Sequence, residues 1–340
     1  MQVASALVSG LHPAPELADA AVRKALDKAG LHRADQVVLF LSRHFSRHAP
    51  AAITAAARAA QTTQISGSTT SGLLTEDGWQ IDQPAAAALV LAFDEFDTSN
   101  SDSAVLTLSF SGHRSLPFDW QFGSPRAGLL DLDATTWSHG RLADNACSEI
   151  RWPGLRSRIV KSSGLRALGS AQAVEFSEGY ELRRIGGQTA RENLQRSLPP
   201  DLRELVPLHQ IAVLRENNEP GVPILSANAD GSLTLACMLV PGEAVRWAIR
   251  QALFAEQEMR EALATVNGEK APDFALMFSC IGRGPVFYGD DDRDLHTFRR
   301  QFPNTPLLGA YGSGQIVPTG ARNCLFQNTV VTLLFESTHV

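Results

Sequence analysis

The sequence has little that would direct it to a membrane, an export pathway or a nucleic acid. Its 340 residues include 30 basic and 36 acidic side chains, for a formal charge of -6, so no excess of positive charge favours a phosphate backbone. Residues 1–11 place no lysine or arginine before an apolar run, unlike a secretory signal. The longest apolar stretch, residues 85–93, is about half of the roughly 20 residues that a membrane-spanning helix needs. These absences predict a soluble, cytoplasmic protein with neither a membrane nor a nucleic acid as partner.

Cysteine is scarce, and its spacing indicates neither a metal site nor a disulfide framework. Cys147, Cys237, Cys280 and Cys324 form no Cys-x-x-Cys pair, which argues against a zinc ribbon. The sequence also lacks a Gly-x-Gly-x-x-Gly motif, a Walker loop, a Gly-x-Ser-x-Gly elbow and a His-Glu-x-x-His motif. The common nucleotide-binding, hydrolase and metalloprotease classes are therefore not indicated, and we assign no catalytic residue and no metal ligand.

Hydrophobic residues make up 44% of the chain, enough for a large core, and the length is typical of two domains. The N-terminal part predicts alternating strands and helices. The expected elements are a strand at 3–9, a helix at 16–29 ending at Gly30, a strand at 37–41, a helix at 49–60 and a strand at 86–93. Residues 67–72, which follow an apolar start at Ile65, predict a turn of small residues. This order predicts a βαβαβ unit with a parallel sheet.

A similar order recurs near the other end of the chain. The expected elements are a strand at 233–240, a helix at 243–264, a strand at 274–280, a helix at 291–301, a strand at 306–311 and a glycine-rich turn at 309–314. Gly67, Ser71 and Gly72 align without gaps with the Gly, Ser and Gly of that second turn. We therefore predict an internal duplication; two unrelated α/β units are the alternative.

The segment between the two units, residues 94–208, is predicted to be rich in strands because short β-prone runs alternate with Gly, Ser and Pro. It contains an expected hairpin turn at 177–179 and a capping box from Thr189 to Glu192; residues 217–223 predict a loop. The predicted fold class is α/β, with two pseudo-repeated βαβαβ units and a strand-rich middle segment. We expect one domain at 1–204, with its strand-rich part at 94–204, and a second at 205–340.

Arg283 lies between two glycines just after the strand that ends at Cys280. Ligand crevices open at the carboxyl ends of such strands, and a guanidinium suits bidentate capture of a carboxylate. A solvated loop arginine is the alternative. Cys280 is either a small core residue or a thiol activated by Arg283.

Two further clusters have simpler interpretations than a metal site. The acidic run at 290–294 lacks the ligand frame of a calcium loop and fits a helix N-terminus. His44 and His48 are four residues apart, as metal ligands on one helix face are, but a loop before Pro50 is the favoured prediction.

The two glycine-rich turns are predicted to expose backbone amides and hydroxyl groups to a ligand. The hydroxyls are those of Ser68, Thr69, Thr70, Ser71 and Ser313, and Tyr311 lies beside them in the second turn. Glycine also serves a tight turn when no ligand is bound, so a purely structural role remains the alternative.

Several segments resemble the FIST family of sensory modules, named after F-box and intracellular signal transduction proteins. Residues 278–284 (Phe-Ser-Cys-Ile-Gly-Arg-Gly), 287–289, 306–316 and 327–329 are similar to the C-terminal FIST region. Residues 65–72 resemble the N-terminal region, so the resemblance covers nearly the whole chain. It implies a cytoplasmic input module that binds a small ligand, such as an amino acid or related metabolite.

The resemblance implies that such a module, filling the whole chain, signals through a separate protein such as a histidine kinase or a cyclase. The implied ligand-binding residues are Cys280, Arg283, Gly284, Tyr311, Ser313, Gln315, Ser68, Thr69 and Ser71. The family commonly has Glu where this chain has Gln315, so the resemblance gives no carboxylate there for a ligand amino group. No cofactor is expected. A haem-based gas sensor and an enzyme with Cys280 as nucleophile are the alternatives.

The cysteine pattern gives the first testable prediction. With four unpaired thiols in a reducing compartment, no structural disulfide is expected. Thiol titration of denatured, unreduced protein should find all four cysteines free, and a count of two or fewer would contradict this interpretation.

Overall fold

The computed structural model describes residues 1–93, 105–216, 219–266 and 271–337. Parts of the predicted strand-rich segment (94–104) and of the predicted loop (217–218) lie outside these residues. The chain divides into two compact units, the first formed by Met1–Ser163 with Met259–Val340 and the second by Gly164–Glu258. In the described ranges, no helix combines the length and the apolar character needed to cross a membrane. The fold is mixed α/β and rich in strands, which confirms the broad fold class.

Seven α-helices are present in the described residues. They are α1 (Pro15–Ala29), α2 (Ala49–Ala60), α3 (Phe118–Gln121), α4 (Ala190–Ser197), α5 (Ala252–Thr265), α6 (Pro285–Tyr288) and α7 (Arg293–Gln301).

The first unit contains strands from both ends of the chain. From the N-terminal part come β1 (Gln2–Ser9), β2 (Gln36–Ser42), β3 (Ile65–Thr70), β4 (Gly72–Thr75), β5 (Gly78–Ile81), β6 (Ala85–Ala92), β7 (Thr107–Ser111), β8 (Arg126–Leu130), β9 (Thr136–Ser138), β10 (Arg141–Leu142), β11 (Cys147–Arg151) and β12 (Leu155–Ser162). The second unit has β13 (Leu165–Glu178), β14 (Glu181–Ile185), β15 (Gln188–Thr189), β16 (Ile211–Arg215), β17 (Val222–Ala227), β18 (Leu233–Leu235) and β19 (Ala244–Arg250). The C-terminal part adds β20 (Phe274–Cys280), β21 (Leu307–Gly312), β22 (Gly314–Thr319), β23 (Arg322–Phe326) and β24 (Val330–Ser337) to the first unit.

The strands of the first unit form three sheets. The first has the order β1-β6-β2-β3-β9-β10, the second β11-β7-β8-β22-β23 and the third β12-β24-β20-β21-β4-β5. Each sheet contains one parallel pair, namely β2 with β3, β7 with β8, and β20 with β21. The other pairings are antiparallel, so the sheets are mixed rather than parallel as predicted.

The second unit is a closed antiparallel barrel. Its strands follow the order β13-β19-β16-β17-β18-β14, and a pairing of β13 with β14 closes the ring. The predicted helix at 243–264 is wrong in its first part, because residues 244–250 form β19. There Val245, Trp247 and Ile249 alternate toward the barrel core, which is the period of a strand and not of a helix. The helix α5 begins only at Ala252.

The first and third sheets share a chain order, although not with the predicted boundaries. In the first sheet β1, α1, β2, α2 and β3 follow one another; in the third, β12 takes the place of β1, and the second unit is inserted before α5, β20, α7 and β21. Of the predicted strand at 233–240, only Leu233–Leu235 form a strand, which is β18 of the barrel. Asp35 and Asp273 occupy matching places, each accepting through Oδ2 from the amide of a later residue, Phe93 at 2.9 Å and Ser337 at 2.7 Å respectively. The duplication itself stays a prediction.

The two predicted glycine-rich turns are strands in the structure. β3 and β4 are separated only by Ser71, and β21 and β22 only by Ser313. Their glycines serve close approach of paired strands: a Cβ on Gly67 would lie 1.9 Å from the carbonyl oxygen of Leu39, and one on Gly309 2.3 Å from that of Met277. The glycine signal in the sequence therefore reflects strand packing rather than an exposed loop.

Three phenylalanines, one from each sheet, meet at the centre of the first unit. Phe40 of β2, Phe110 of β7 and Phe278 of β20 are fully buried, with ring centroids 5.1, 5.9 and 6.2 Å apart in edge-to-face geometry. Aromatic pairs of this kind add stability beyond the burial of their area. Helices α1 and α2 cover the outer face of the first sheet, and α5 and α7 that of the third.

Loss of the central ring should strongly destabilise the first unit. We expect Phe110→Ala to lower the free energy of unfolding by about 3–5 kcal/mol, the usual cost of a large cavity in a core. Phe118→Ala is the matched control because that ring is 79% exposed. Denaturant unfolding measures both variants, and equal small losses would contradict a central role for Phe110.

Candidate functional site

Four polar side chains converge where strands of the three sheets end. The Ser71 hydroxyl donates to Asp131 Oδ2 at 2.7 Å, and the Ser313 hydroxyl donates to Asp131 Oδ1 at 2.8 Å. Arg43 Nη2 donates to the Ser71 hydroxyl oxygen. One carboxylate is thus held by two serines that occupy matching places in the two aligned motifs. We call Arg43, Ser71, Asp131 and Ser313 the Asp131 cluster.

The fold explains why these four residues meet. Arg43 follows β2, Ser71 follows β3, Asp131 follows β8 and Ser313 follows β21, so each stands directly after the carboxyl end of a strand in a parallel pair. Ligand sites of α/β proteins lie at such ends. The cluster draws on all three parallel pairs of the first unit.

The Asp131 cluster is buried on one side and open on the other. Asp131 is 7% exposed and Ser71 6%, whereas the neighbouring Leu132 is 50% exposed and Arg43 is also exposed. The amide of Leu132 donates to the Ser313 hydroxyl oxygen at 3.2 Å. A partly desolvated carboxylate beside an exposed guanidinium can hold groups of opposite charge.

The remaining predicted residues of β3 are buried and engaged within the chain. Thr69 Oγ1 accepts from the amide of Thr135 at 2.9 Å, and Thr70 Oγ1 donates to the carbonyl of Gly72 at 3.0 Å. Ser68 is 2% exposed and pairs in register with Thr136 of β9. These hydroxyls do not line an open turn.

Arg283 has neither of the surroundings considered from the sequence. It is 1% exposed, so the solvated alternative is wrong, and it does not stand in an open crevice. Nε and Nη2 donate to the two carboxylate oxygens of Asp294 at 2.9 and 3.0 Å, while Nη1 and Nη2 donate to the carbonyl and hydroxyl of Ser162, both at 2.7 Å. The bidentate carboxylate expected from a ligand is supplied by the chain itself.

Tyr311 and Gly284 belong to the surroundings of the same ion pair. The Tyr311 hydroxyl donates to Asp292 Oδ2, and a Cβ on Gly284 would lie 2.6 Å from the Tyr311 ring. Burial, together with the charge of Asp292, holds the pKa of Tyr311 well above its ordinary value, so it stays a donor. Asp292 Oδ1 also caps α7 by accepting from the amide of Leu295 at 2.9 Å, which confirms the predicted helix start.

Cys280 ends β20 as a buried free thiol that is 6% exposed. Its Sγ lies 3.9 Å from Asn328 Oδ1. The structure leaves the other three cysteines unpaired as well. His44 lies in a short 3-10 helix and His48 precedes α2, and no group of three His, Cys, Asp or Glu residues suited to a metal occurs in the described parts of the chain.

Gln315 is the most unusual of the predicted residues. It lies in β22, is fully buried, and neither its Oε1 nor its Nε2 has a hydrogen-bond partner among the described residues. A buried amide without partners costs free energy.

Sequence reasoning missed Asp131 and Arg43. Asp131 follows the apolar run of β8, and Arg43 follows that of β2, so a search for polar residues just after buried strands would have found both. The strand-rich interpretation of the middle segment did not separate its individual strand ends.

The buried pair Asp292 and Asp294 generates a pH-dependent prediction. Burial first, and then the charge of Asp294, raise the pKa of Asp292 to about 6. Because this value exceeds that of an unfolded aspartate, the folded state favours the protonated form and loses stability as pH rises from about 4 to about 6. The Asp292→Asn variant has no carboxylate to ionise and so escapes this loss. Its free energy of unfolding, relative to that of wild type, should therefore increase by up to about 3 kcal/mol as the pH rises over that range.

Thermal melts at a series of pH values measure this difference. Asp291→Asn is the matched control, because Asp291 is about half exposed and pairs with His296 at 3.2 Å. A difference between Asp292→Asn and wild type that does not change with pH would contradict the prediction.

Comparison with known proteins finds mycobacterial relatives whose own function is uncharacterized. An uncharacterized protein of Mycobacterium bovis is 30% identical over 203 residues, covering 55% of this chain and 52% of the relative. An uncharacterized protein of Mycobacterium tuberculosis is 28% identical over 201 residues with the same coverage. The chain thus spans about half the length of the curated relatives it matches.

The family comparison addresses the C-terminal motifs directly. Residues 190–318 match the family model of the FIST C domain. This range contains Cys280, Arg283, Tyr311, Ser313 and Gln315, and it ends within β22. The matched range begins inside the second unit, and the predicted domain boundary at 204–205 also lies inside that unit. The predicted division into two domains at 204–205 stays a prediction. The match confirms the resemblance found in the sequence: residues 190–318 are similar to the FIST C domain.

Proposed function

We propose that the chain is a sensory module that binds a small zwitterionic ligand, an amino acid or related metabolite, at the Asp131 cluster. A FIST domain suggests sensory signal transduction. The observation that carries the proposal is the convergence of Asp131 and Arg43, two opposite charges that follow strands of two different sheets. Both contact the Ser71 hydroxyl, so they lie next to each other, as the ammonium and carboxylate of an amino acid do.

The chemistry of the Asp131 cluster suits each end of such a ligand. Ser71 and Ser313 each donate one hydrogen bond to a different oxygen of Asp131. A carboxylate accepts about four hydrogen bonds, so capacity remains for a ligand ammonium. Arg43 uses one donor on Ser71 and has further donors in a planar fork that matches a carboxylate. The cluster therefore takes over the anchoring role that the sequence assigned to Arg283.

A ligand held here would connect the three sheets. Asp131 belongs to the second sheet, Arg43 to the first, and Ser71 and Ser313 stand where the chain passes from one sheet to another. Bonds added by a ligand would favour one arrangement of these strand ends over others, which is how binding shifts a conformational equilibrium. We propose that a separate signalling protein, such as a histidine kinase or a cyclase, responds to this shift.

The alternative functions gain less support from the geometry. Catalysis by Cys280 needs a base, and the polar atom found near its Sγ is an amide oxygen at 3.9 Å. A haem-based sensor stays an untested alternative, which the visible absorption of purified protein would decide.

Substitution at Asp131 tests the proposed function. Melting curves and calorimetry with each of the twenty L-amino acids should identify at least one that stabilises the wild-type protein. Asp131→Asn should weaken that binding by at least tenfold because the ammonium loses its charged partner. Arg43→Gln should weaken it by a similar factor.

Exposed neighbours provide matched controls for both substitutions. Asp133→Asn removes a carboxylate two residues away, at a position with φ of 59° that asparagine also tolerates. Arg47→Gln removes an exposed charge. Both controls should bind as wild type does. Absence of binding by any amino acid to wild type, or equal binding by Asp131→Asn, would defeat the proposal.

A further inference from the structure

We infer that Gln315 forms the inner end of the ligand site and selects amino acids with a neutral carboxamide side chain, as in L-glutamine. This inference rests on the proposed function, because it uses the Asp131 cluster as the anchor of the ligand backbone.

The first observation is the state of the Gln315 amide. The side chain is fully buried, and both polar atoms lack partners among the residues that the structure describes. One acceptor and two donors are thus unused. Neighbouring apolar side chains cannot satisfy them, so a polar group from outside the chain is the natural partner.

The second observation is the strand register. β22 pairs with β8 so that Gln315 is opposite Leu129 and Gly314 opposite Leu130. Continuing this register by one residue sets Ser313 opposite Asp131, where their hydrogen bond is found. Because alternate residues share one face of a sheet, Gln315 and Leu129 follow Ser313 and Asp131 inward on the same face.

The spacing fits a small amino acid. Asp131 and Gln315 are diagonal neighbours across the β8–β22 pair, and such neighbours are about 7–8 Å apart, which is comparable with the span from the ammonium group to the side-chain amide of L-glutamine. A ligand whose ammonium binds Asp131 would therefore direct its side chain toward Gln315.

The surroundings of Gln315 favour a neutral side chain. Leu129 lies opposite it on β8 and Phe326 opposite it on β23, and both belong to the central hydrophobic cluster. A buried charge is costly in such surroundings. A carboxylate would satisfy only the donors of Gln315 and an ammonium only its acceptor, each bringing a charge. A carboxamide donates to Oε1 and accepts from Nε2 without one.

Gln315→Leu separates this role from simple core packing. The variant removes an unpartnered polar group, so the unliganded protein should melt at a higher temperature than wild type. Calorimetry with L-glutamine, L-glutamate and L-leucine then measures selectivity. Wild type should bind L-glutamine at least tenfold more tightly than the other two, and Gln315→Leu should lose that preference. Gln80→Leu, at a half-buried position of β5, should leave the preference unchanged.

The outcomes distinguish this inference from the proposed function. If Gln315→Leu melts higher but keeps the wild-type ratio of affinities, or if wild type prefers L-leucine or L-glutamate, the selectivity inference is overturned while the Asp131 cluster stands. If no amino acid binds wild type, or Asp131→Asn binds all of them as wild type does, the proposed function fails, and the inference fails with it.

Discussion

The edge-to-face contact of Phe40, Phe110 and Phe278 is the constraint on which the first unit depends. Each ring belongs to a strand of a parallel pair and lies one or two residues before that strand ends. Packing the rings together therefore also packs together the carboxyl ends of strands from three different sheets. The Asp131 cluster stands just beyond the end of β2 and the ends of β3, β8 and β21, the parallel partners of the three ring-bearing strands. Its polar groups are therefore brought together by a hydrophobic contact rather than by their own attraction.

The Arg283–Asp294 ion pair and the Asp131 cluster, both in the first unit, differ in whether their charges are already paired within the chain. Arg283 and Asp294 are both almost fully buried and satisfy each other through two parallel hydrogen bonds, with Ser162 taking further donors. Removing either partner would leave the other charge buried and unpaired, so the ion pair has a structural role. Asp131 is held instead by two neutral hydroxyls, and Arg43 is exposed and donates to Ser71 rather than to the carboxylate. Among the described residues no cation forms an ion pair with Asp131, which leaves this carboxylate suited to the ammonium of the proposed ligand.

Local patterns predicted elements better than they predicted the site. The helix at 49–60, the buried strand at 274–280 and the capping box at Thr189 follow from periodicity and cap chemistry, and the structure confirms them. The turns at 67–72 and 309–314 were wrong, because glycine also permits the close approach of paired strands, and nothing local tells these uses apart. The partnership of Asp131 with Ser313 joins residues 182 positions apart, so it depends on a register that no local pattern contains.

Gln315 and Asp131 are best understood together. A glutamate at a fully buried position opposite Leu129 and Phe326 would need a charged partner or a proton, and the described structure offers Gln315 no partner of any kind. A neutral amide lowers that cost without removing the ability to form hydrogen bonds. In the proposed site, the carboxylate for a ligand ammonium is that of Asp131, which follows the adjacent strand β8 and is 7% exposed. In the proposed site, the strand pair would thus separate the charged recognition of a ligand backbone, at Asp131, from the neutral recognition of its side chain, at Gln315.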